Sequence, residues 1–249
     1  MPDGTNGRLE TGGRRQQAGD GRPEAGGTSS LQSAACSLTV VYAVTPDQKY
    51  RRMAAGSIYT AVRHNPGVRV RVVEVEGGDY PPGIKPAALA DVTAASVLFL
   101  DADTVVRGSL GELLACDADF SARVATAWLA GGFLSRRRWA ALCSHFGLPP
   151  VQGFNSGAFL CRGQVARSLA QSWPRWMEAI RHAGVSDPQL QPAKSPWWML
   201  DQYALALAVA EIGCRVRLWS RAEHSFGWKG EVPGLIHHTG ARRWEDPLR

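Results

Sequence analysis

At 249 residues the chain is long for one folding unit yet ordinary for an α/β domain, and its formal net charge of +6 is modest. No stretch approaches the roughly 20 apolar residues that a membrane span needs, and no continuous apolar leader is present, so a soluble, cytoplasmic protein is expected. The basic residues are dispersed and lack a zinc-finger, RNP or helix-turn-helix pattern, which argues against nucleic acid and suits a small anionic ligand.

Residues 1 to 36 are rich in Gly, Arg, Gln, Ser and Glu, with Leu9 and Leu31 almost their only large apolar side chains. They cannot bury enough surface to offset their ordering entropy, so a disordered tail is expected over 1–36 and one folded domain over 37–249. Leu38 to Val44 is a β-branched apolar run, and the polar turn from Thr45 to Gln48 leads into a helical segment from Met53 to Val62. Val68 to Val75 alternates as a half-buried strand does, and the Gly and Pro residues between Gly77 and Gly83 mark a loop. A helix from Ala87 to Ala95 then precedes a strand from Val97 to Leu100. Later strands are expected at Ala122–Ala127, Gly157–Leu160, Val216–Trp219 and Leu235–Thr239. Helices are expected at Trp139–Phe146, Val165–Ile180 and Asp201–Ile212, the last stopped by Gly213. Alternating strands and helices imply an α/β fold with a mainly parallel central sheet and helices on both faces. The five cysteines are odd in number, scattered and without metal-ligand spacing, which reads as reduced thiols.

The densest chemistry lies where the Val97–Leu100 strand runs into Asp101-Ala102-Asp103. Open α/β sheets place ligands at the ends of such strands, and two carboxylates there offer hard oxygen ligands to Mg²⁺ or Mn²⁺. Asp117-Ala118-Asp119 repeats the tripeptide at the end of a short helix, with no strand to aim it, and serves as an internal control. Helix capping or a solvated strand end is the bland alternative for either copy.

Farther along stand Lys85, Phe154-Asn155-Ser156-Gly157, Asp201-Gln202 and His237-His238-Thr239-Gly240. In this order, over about residues 38 to 244, they resemble the nucleotide-sugar-dependent glycosyltransferases of the GT-A fold, most closely family 8, the family of glycogenin and lipopolysaccharide galactosyltransferases. The resemblance implies a single GT-A (Rossmann-like) domain. It makes Asp101, Asp103 and His237 the metal ligands, with His238 competing for the third place. It assigns the donor to Thr45, Asp47, Tyr50, Lys85, Ala102, Asn155, Ser156, Gly240 and Arg243, alongside the two aspartates. Arg243 stands where the family carries a lysine, and the proline that follows that lysine is absent. Asp201, Gln202 and Asn155 face the reacting sugar.

The implied reaction moves a sugar from a nucleoside diphosphate sugar, a UDP-sugar, to an acceptor hydroxyl with retention, supported by Mn²⁺ or Mg²⁺; an imidazole ligand favours Mn²⁺. Two alternatives share some of these residues. A haloacid-dehalogenase-like phosphatase would use Asp101 as nucleophile and Asp103 as acid, but its later acidic cluster is missing. A non-catalytic nucleotide-sugar-binding protein would use the same donor contacts without turnover.

Overall fold

The computed structural model describes residues 38–75, 84–125, 136–187, 190 and 199–240. The expected tail and Arg243 lie outside these residues.

The chain opens with β1 (Leu38–Val44), whose seven side chains are all buried. Helix α1 (Gln48–His64) follows at once, its N-cap Asp47 accepting a hydrogen bond from Lys49 N at 2.7 Å. Strand β2 (Arg69–Glu74) alternates in burial as its Val and Arg pattern predicts. Helix α2 (Ile84–Leu89) is displaced from the expected Ala87–Ala95 segment. Pro86 is tolerated in the first turn, where no intrahelical N–H is needed. Residues 90–95, with β-branched Val92 and Thr93, leave the helix through tight turns from Ala90 N to Ala87 O and from Val92 N to Leu89 O.

Strand β3 (Ser96–Leu100) is buried throughout and runs beside β1 in parallel. The short β4 (Thr104–Val106) and α3 (Gly111–Leu114) lead to β5 (Phe120–Val124), α4 (Arg136–His145), and β6 (Phe154–Arg162), which is longer than its sequence suggested. Helix α5 (Gly163–Ser186) carries Pro174 within it, and α6 (Leu200–Ile212) is apolar nearly all round, as a helix enclosed by protein is. Its Gly213 cap is left-handed, φ 67°, which glycine adopts without steric cost. Short strands β7 (Val216–Leu218), β8 (His224–Phe226) and β9 (Ile236–His238) are the last of the described strands.

The central sheet has the order β2-β1-β3-β6-β5-β7. Neighbours pair in parallel except around β6, which is antiparallel to both β3 and β5. Successive side chains on a strand take opposite faces, so each central strand feeds two cores. Val41, Phe99 and Phe159 join Leu169 and Trp173 of α5 and Leu205 of α6 on one face. Val40, Leu98 and Leu160 meet Met53 and Ala61 of α1 on the other, together with Val106 and Ile236. Phe99 and Phe159 stack across β3 and β6 with centroids 5.1 Å apart. Complete burial of each such side chain contributes about 1.5–3 kcal/mol.

The reversal of β6 is what builds the functional rim. Parallel β1 and β3 end at one edge of the sheet, and antiparallel β6 begins there, so Phe154–Gly157 arrives beside Asp101. A second sheet, β4-β9-β8, adds its central strand β9 at the same place, with Thr104 opposite His238. Among the described residues, no helix is long and apolar enough to cross a membrane.

Candidate active site

Asp101 leaves β3 with its backbone N–H donating to Gly157 O at 2.7 Å, which ties the strand end to the start of β6. Its carbonyl accepts from Thr104 Oγ1 at 2.8 Å and Thr104 N at 3.2 Å, closing a tight turn through buried Ala102. That turn brings Asp103 under β9, where Thr239 N and Thr239 Oγ1 donate to Asp103 O at 2.9 and 2.8 Å. The Asp103 carboxylate lies 2.7 Å from His238 Nε2. One ligand atom each from Asp101, Asp103 and His238 falls within a 4.8 Å span, a mixed oxygen and nitrogen set able to hold a divalent cation.

His238, not His237, therefore completes the trio, a correction to the family-spacing expectation. Adjacent strand residues point to opposite faces. Ile236 and His238 turn inward, whereas His237 lies on the reverse face with Nδ1 2.8 Å from Ser225 Oγ. The legible signal was burial parity: His238 shares the inward face of apolar Ile236.

Lys85 binds this trio to a second acidic group. Its Nζ lies 3.0 Å from Asp101 Oδ1 and 2.9 Å from Asp201 Oδ2, with Ser156 Oγ at 3.2 Å, and the side chain is 4% exposed. Ser156 Oγ donates to Asp201 Oδ2 at 2.6 Å. Asp201 is also anchored through its backbone, whose carbonyl accepts from buried Trp173 Nε1 at 2.8 Å. Lys85, Asp101, Ser156 and Asp201, distant in sequence, thus form one network.

The charges respond to this enclosure. Burial raises the Asp101 carboxyl above its ordinary range, and the charges of Lys85 and His238 do not fully offset it. Burial opposes ionisation of Asp103 too, but His238 and Lys85 outweigh it and hold that carboxyl low. At Asp201 burial is likewise outweighed, by Lys85 and the Ser156 hydroxyl, and the carboxyl stays anionic. Burial alone would lower His238; the Asp103 and Asp101 carboxylates reverse this and raise it.

Gly157 admits no side chain. A Cβ there would fall 2.5 Å from His238 Cε1 and 2.7 Å from Asp101 Oδ2. Asn155 Oδ1 accepts from Gly157 N at 3.0 Å, and Gln202 Nε2 donates to Met199 Sδ at 2.7 Å. Met199 takes a left-handed backbone, φ 66°, at the start of α6, a conformation costly for a side chain with a Cβ.

The donor-binding expectations near β1 are placed less uniformly. Thr45 is buried, with its hydroxyl unpartnered among the described residues, and Tyr50 is half-buried against the α1-side core. Asp47 faces solvent as the α1 cap. Gly240 follows β9 with φ +78°. The repeated tripeptide has a different fate: Asp117 and Asp119 precede β5 and bind Arg215, with Nη1–Asp117 at 2.7 Å and Nε–Asp119 at 3.1 Å.

A family model described as a Rhodobacterales glycosyltransferase domain matches residues 28–213. No curated protein matches the chain. Among solved structures, the glycosyltransferase GlyE of Streptococcus pneumoniae TIGR4 superposes with a TM-score of 0.52 at 15% identity, over 81% of this chain and 54% of that one. The chain thus spans about half the length of GlyE. Galactosyltransferase LgtC, solved with donor and acceptor sugar analogues, superposes with a TM-score of 0.51 at 14% identity, over 81% of this chain and 86% of that one. Both likenesses concern the fold.

Proposed function

Because the chain belongs to the Rhodobacterales glycosyltransferase domain family, we propose that it transfers a sugar from a UDP-sugar to an acceptor hydroxyl, with a divalent cation held by Asp101, Asp103 and His238. The observation that carries this reading is the convergence of those three side chains next to the buried Lys85. Two carboxylates and an imidazole suit Mn²⁺ better than Mg²⁺, which prefers oxygen alone. A cation bound there would act as a Lewis acid for the charge developing on the departing diphosphate.

The protein's own groups divide the remaining work. Lys85 fixes the Asp101 and Asp201 carboxylates relative to each other, so the ligand set is preorganised. Asp201 Oδ2 is held by Lys85 and Ser156, which ties this carboxylate to the network around Asp101. Retention follows from the family 8 resemblance, with a departing phosphate oxygen receiving the acceptor's proton on the same face. Asn155, with Oδ1 engaged by Gly157, turns its Nδ2 as donor toward a sugar hydroxyl. A thioether accepts and cannot donate, so the contact with Met199 takes up the Gln202 amide N–H and leaves its carbonyl oxygen as the acceptor assigned to the sugar. Thr45, Tyr50, Gly240 and Arg243 are assigned to the nucleotide, and the order of motifs to family 8. Asp47, exposed at its cap, is the weakest member of that set. Family membership removes the ground for the phosphatase reading.

The test is a panel of UDP-, GDP- and TDP-sugars with the full chain and Mn²⁺. We expect Mn²⁺-dependent binding of a UDP-sugar and time-dependent UDP release that an acceptor accelerates. Binding without release would leave only the carrier reading; absence of any metal-dependent nucleotide-sugar binding would sink both.

A further inference from the structure

The segments that flank the strands of the β4-β9-β8 sheet enclose a cavity of about 790 Å³ lined by Arg107, Arg221, Lys229, Glu231 and Leu235, among others. Its volume lies in the range of small-molecule sites. Three cations reach it from three separate segments: Arg107 beyond β4, Arg221 between β7 and β8, and Lys229 from the 3-10 turn Gly227–Lys229. Glu231 is the only carboxylate among the described lining residues, and Arg123 already engages it bidentately at 2.6 and 2.8 Å. Arg221 Nε approaches Glu231 no closer than 4.0 Å, and Arg107 and Lys229 make no ion pair among the described residues. The cavity therefore holds an uncompensated excess of positive charge.

Its walls are fixed by bonds that leave the charged ends of those side chains unused. Gly234 N donates to Ser225 Oγ at 2.7 Å, Leu235 N to Ala222 O at 2.7 Å, and Arg107 N to Leu235 O at 2.8 Å. Phe226 N donates to Glu231 Oε2 at 2.9 Å, and the Arg123–Glu231 pair beneath is 8% and 12% exposed. A Cβ at Gly234 would fall 2.6 Å from the carbonyl oxygens of Ala222 and Arg221, so the loop is closely fitted to its neighbour. The hydrogen-bonded backbones of these segments bring three exposed cationic side chains to the rim of one concavity.

We propose that this cavity is a second anion site, separate from the Asp101–Asp103–His238 trio, which takes a phosphate group. A carboxylate needs one cation, whereas a phosphate dianion with several acceptor oxygens matches two guanidinium forks and an ammonium. The phosphate belongs either to a soluble phosphorylated ligand or to a lipid headgroup. The site does not depend on the transferase reading, since it shares no residue with the trio.

Inorganic phosphate titrated calorimetrically into the full chain, at low ionic strength with EDTA present, tests this without any sugar donor. We expect one saturable site, weakened by salt, and at least tenfold weaker binding in the Arg107→Gln/Arg221→Gln double variant. Arg175→Gln, an exposed arginine on α5, serves as the control and keeps wild-type affinity. If the double variant loses its cooperative thermal transition, Lys229→Gln replaces it with the same expectation. No saturable binding to the wild type, or equal binding by the cavity variants, overturns the proposal. Vesicles of phosphatidic acid in phosphatidylcholine identify the source. Retention that free phosphate competes away and the double variant lacks assigns a headgroup, and phosphate binding without retention assigns a soluble ligand.

Discussion

Gly157 lies against the His238 ring with no room for one further carbon: a Cβ there would stand 2.5 Å from Cε1 of the imidazole. The same atom would press on Asp101 Oδ2, which Lys85 holds from the other side at 3.1 Å. Gly157→Ala must therefore displace two of the three groups that span the proposed metal site. Overpacking of this kind costs about 1–3 kcal/mol, too little to unfold most domains. We expect a folded variant whose Mn²⁺ affinity, measured by calorimetry, falls at least tenfold, with UDP release falling in parallel. Wild-type affinity would show that the His238 ring is not needed where it stands.

The two neighbouring histidines should separate cleanly. His238→Ala removes an imidazole 2.7 Å from Asp103, whereas His237→Ala removes one hydrogen-bonded to Ser225 on the far face. Metal affinity should fall in His238→Ala by more than the roughly 10–100-fold typical of an outer-shell loss. It should stay within about threefold of wild type in His237→Ala. The reverse ranking in a Mn²⁺ titration would restore His237 as the ligand.

Identical tripeptides give a matched pair of variants. Asp103→Asn replaces a part-buried carboxylate engaged by His238, while Asp119→Asn alters an ion pair with Arg215, whose side chain is 63% exposed. Asp103→Asn should abolish metal-dependent UDP release and retain the fold by circular dichroism. Asp119→Asn should retain both, since exposed ion pairs contribute little. Equal activity losses would mean that neither position in the sheet distinguishes a site.

Acid stability offers a check outside the active site. Arg123 hydrogen-bonds the Glu231 carboxylate and holds its pKa down to about 2, below the ordinary 4.5. A depressed carboxyl contributes stability above its unfolded pKa and loses it as pH falls through the folded one. Glu231→Gln should therefore be about 1–2 kcal/mol less stable than wild type at pH 7, a figure below full linkage because solvent reaches part of the pair. The gap should narrow between pH 4.5 and 2 in urea melts. A gap that widened in acid would reverse the assigned sign.

The parts of the fold that sequence revealed were those with a local cause. β1 and β3 are continuous apolar runs because both of their faces meet cores, and Gly213 stops α6 for a backbone reason. β4 and β8, at three residues each, have no period to detect and exist by pairing with β9. In the candidate site, Asp101, Asp103, Lys85, Ser156 and Asp201 were all legible as members. The ion pair between Lys85 and Asp201 was not, because only tertiary structure brings α2 to the start of α6. Spacing to Gly240 pointed to His237 with His238 competing, because spacing counts residues whereas a strand assigns sides by parity.

The reversed middle strand has a consequence for the order in which the protein matures. Everything that gives the rim its chemistry depends on pairings between remote segments: β3 with β6, then β4 with β9. Remote pairings carry a larger closure entropy and slow condensation. The pairings among β1, β2 and β3 do not involve β9, whereas the trio exists only where β9 is docked on β4.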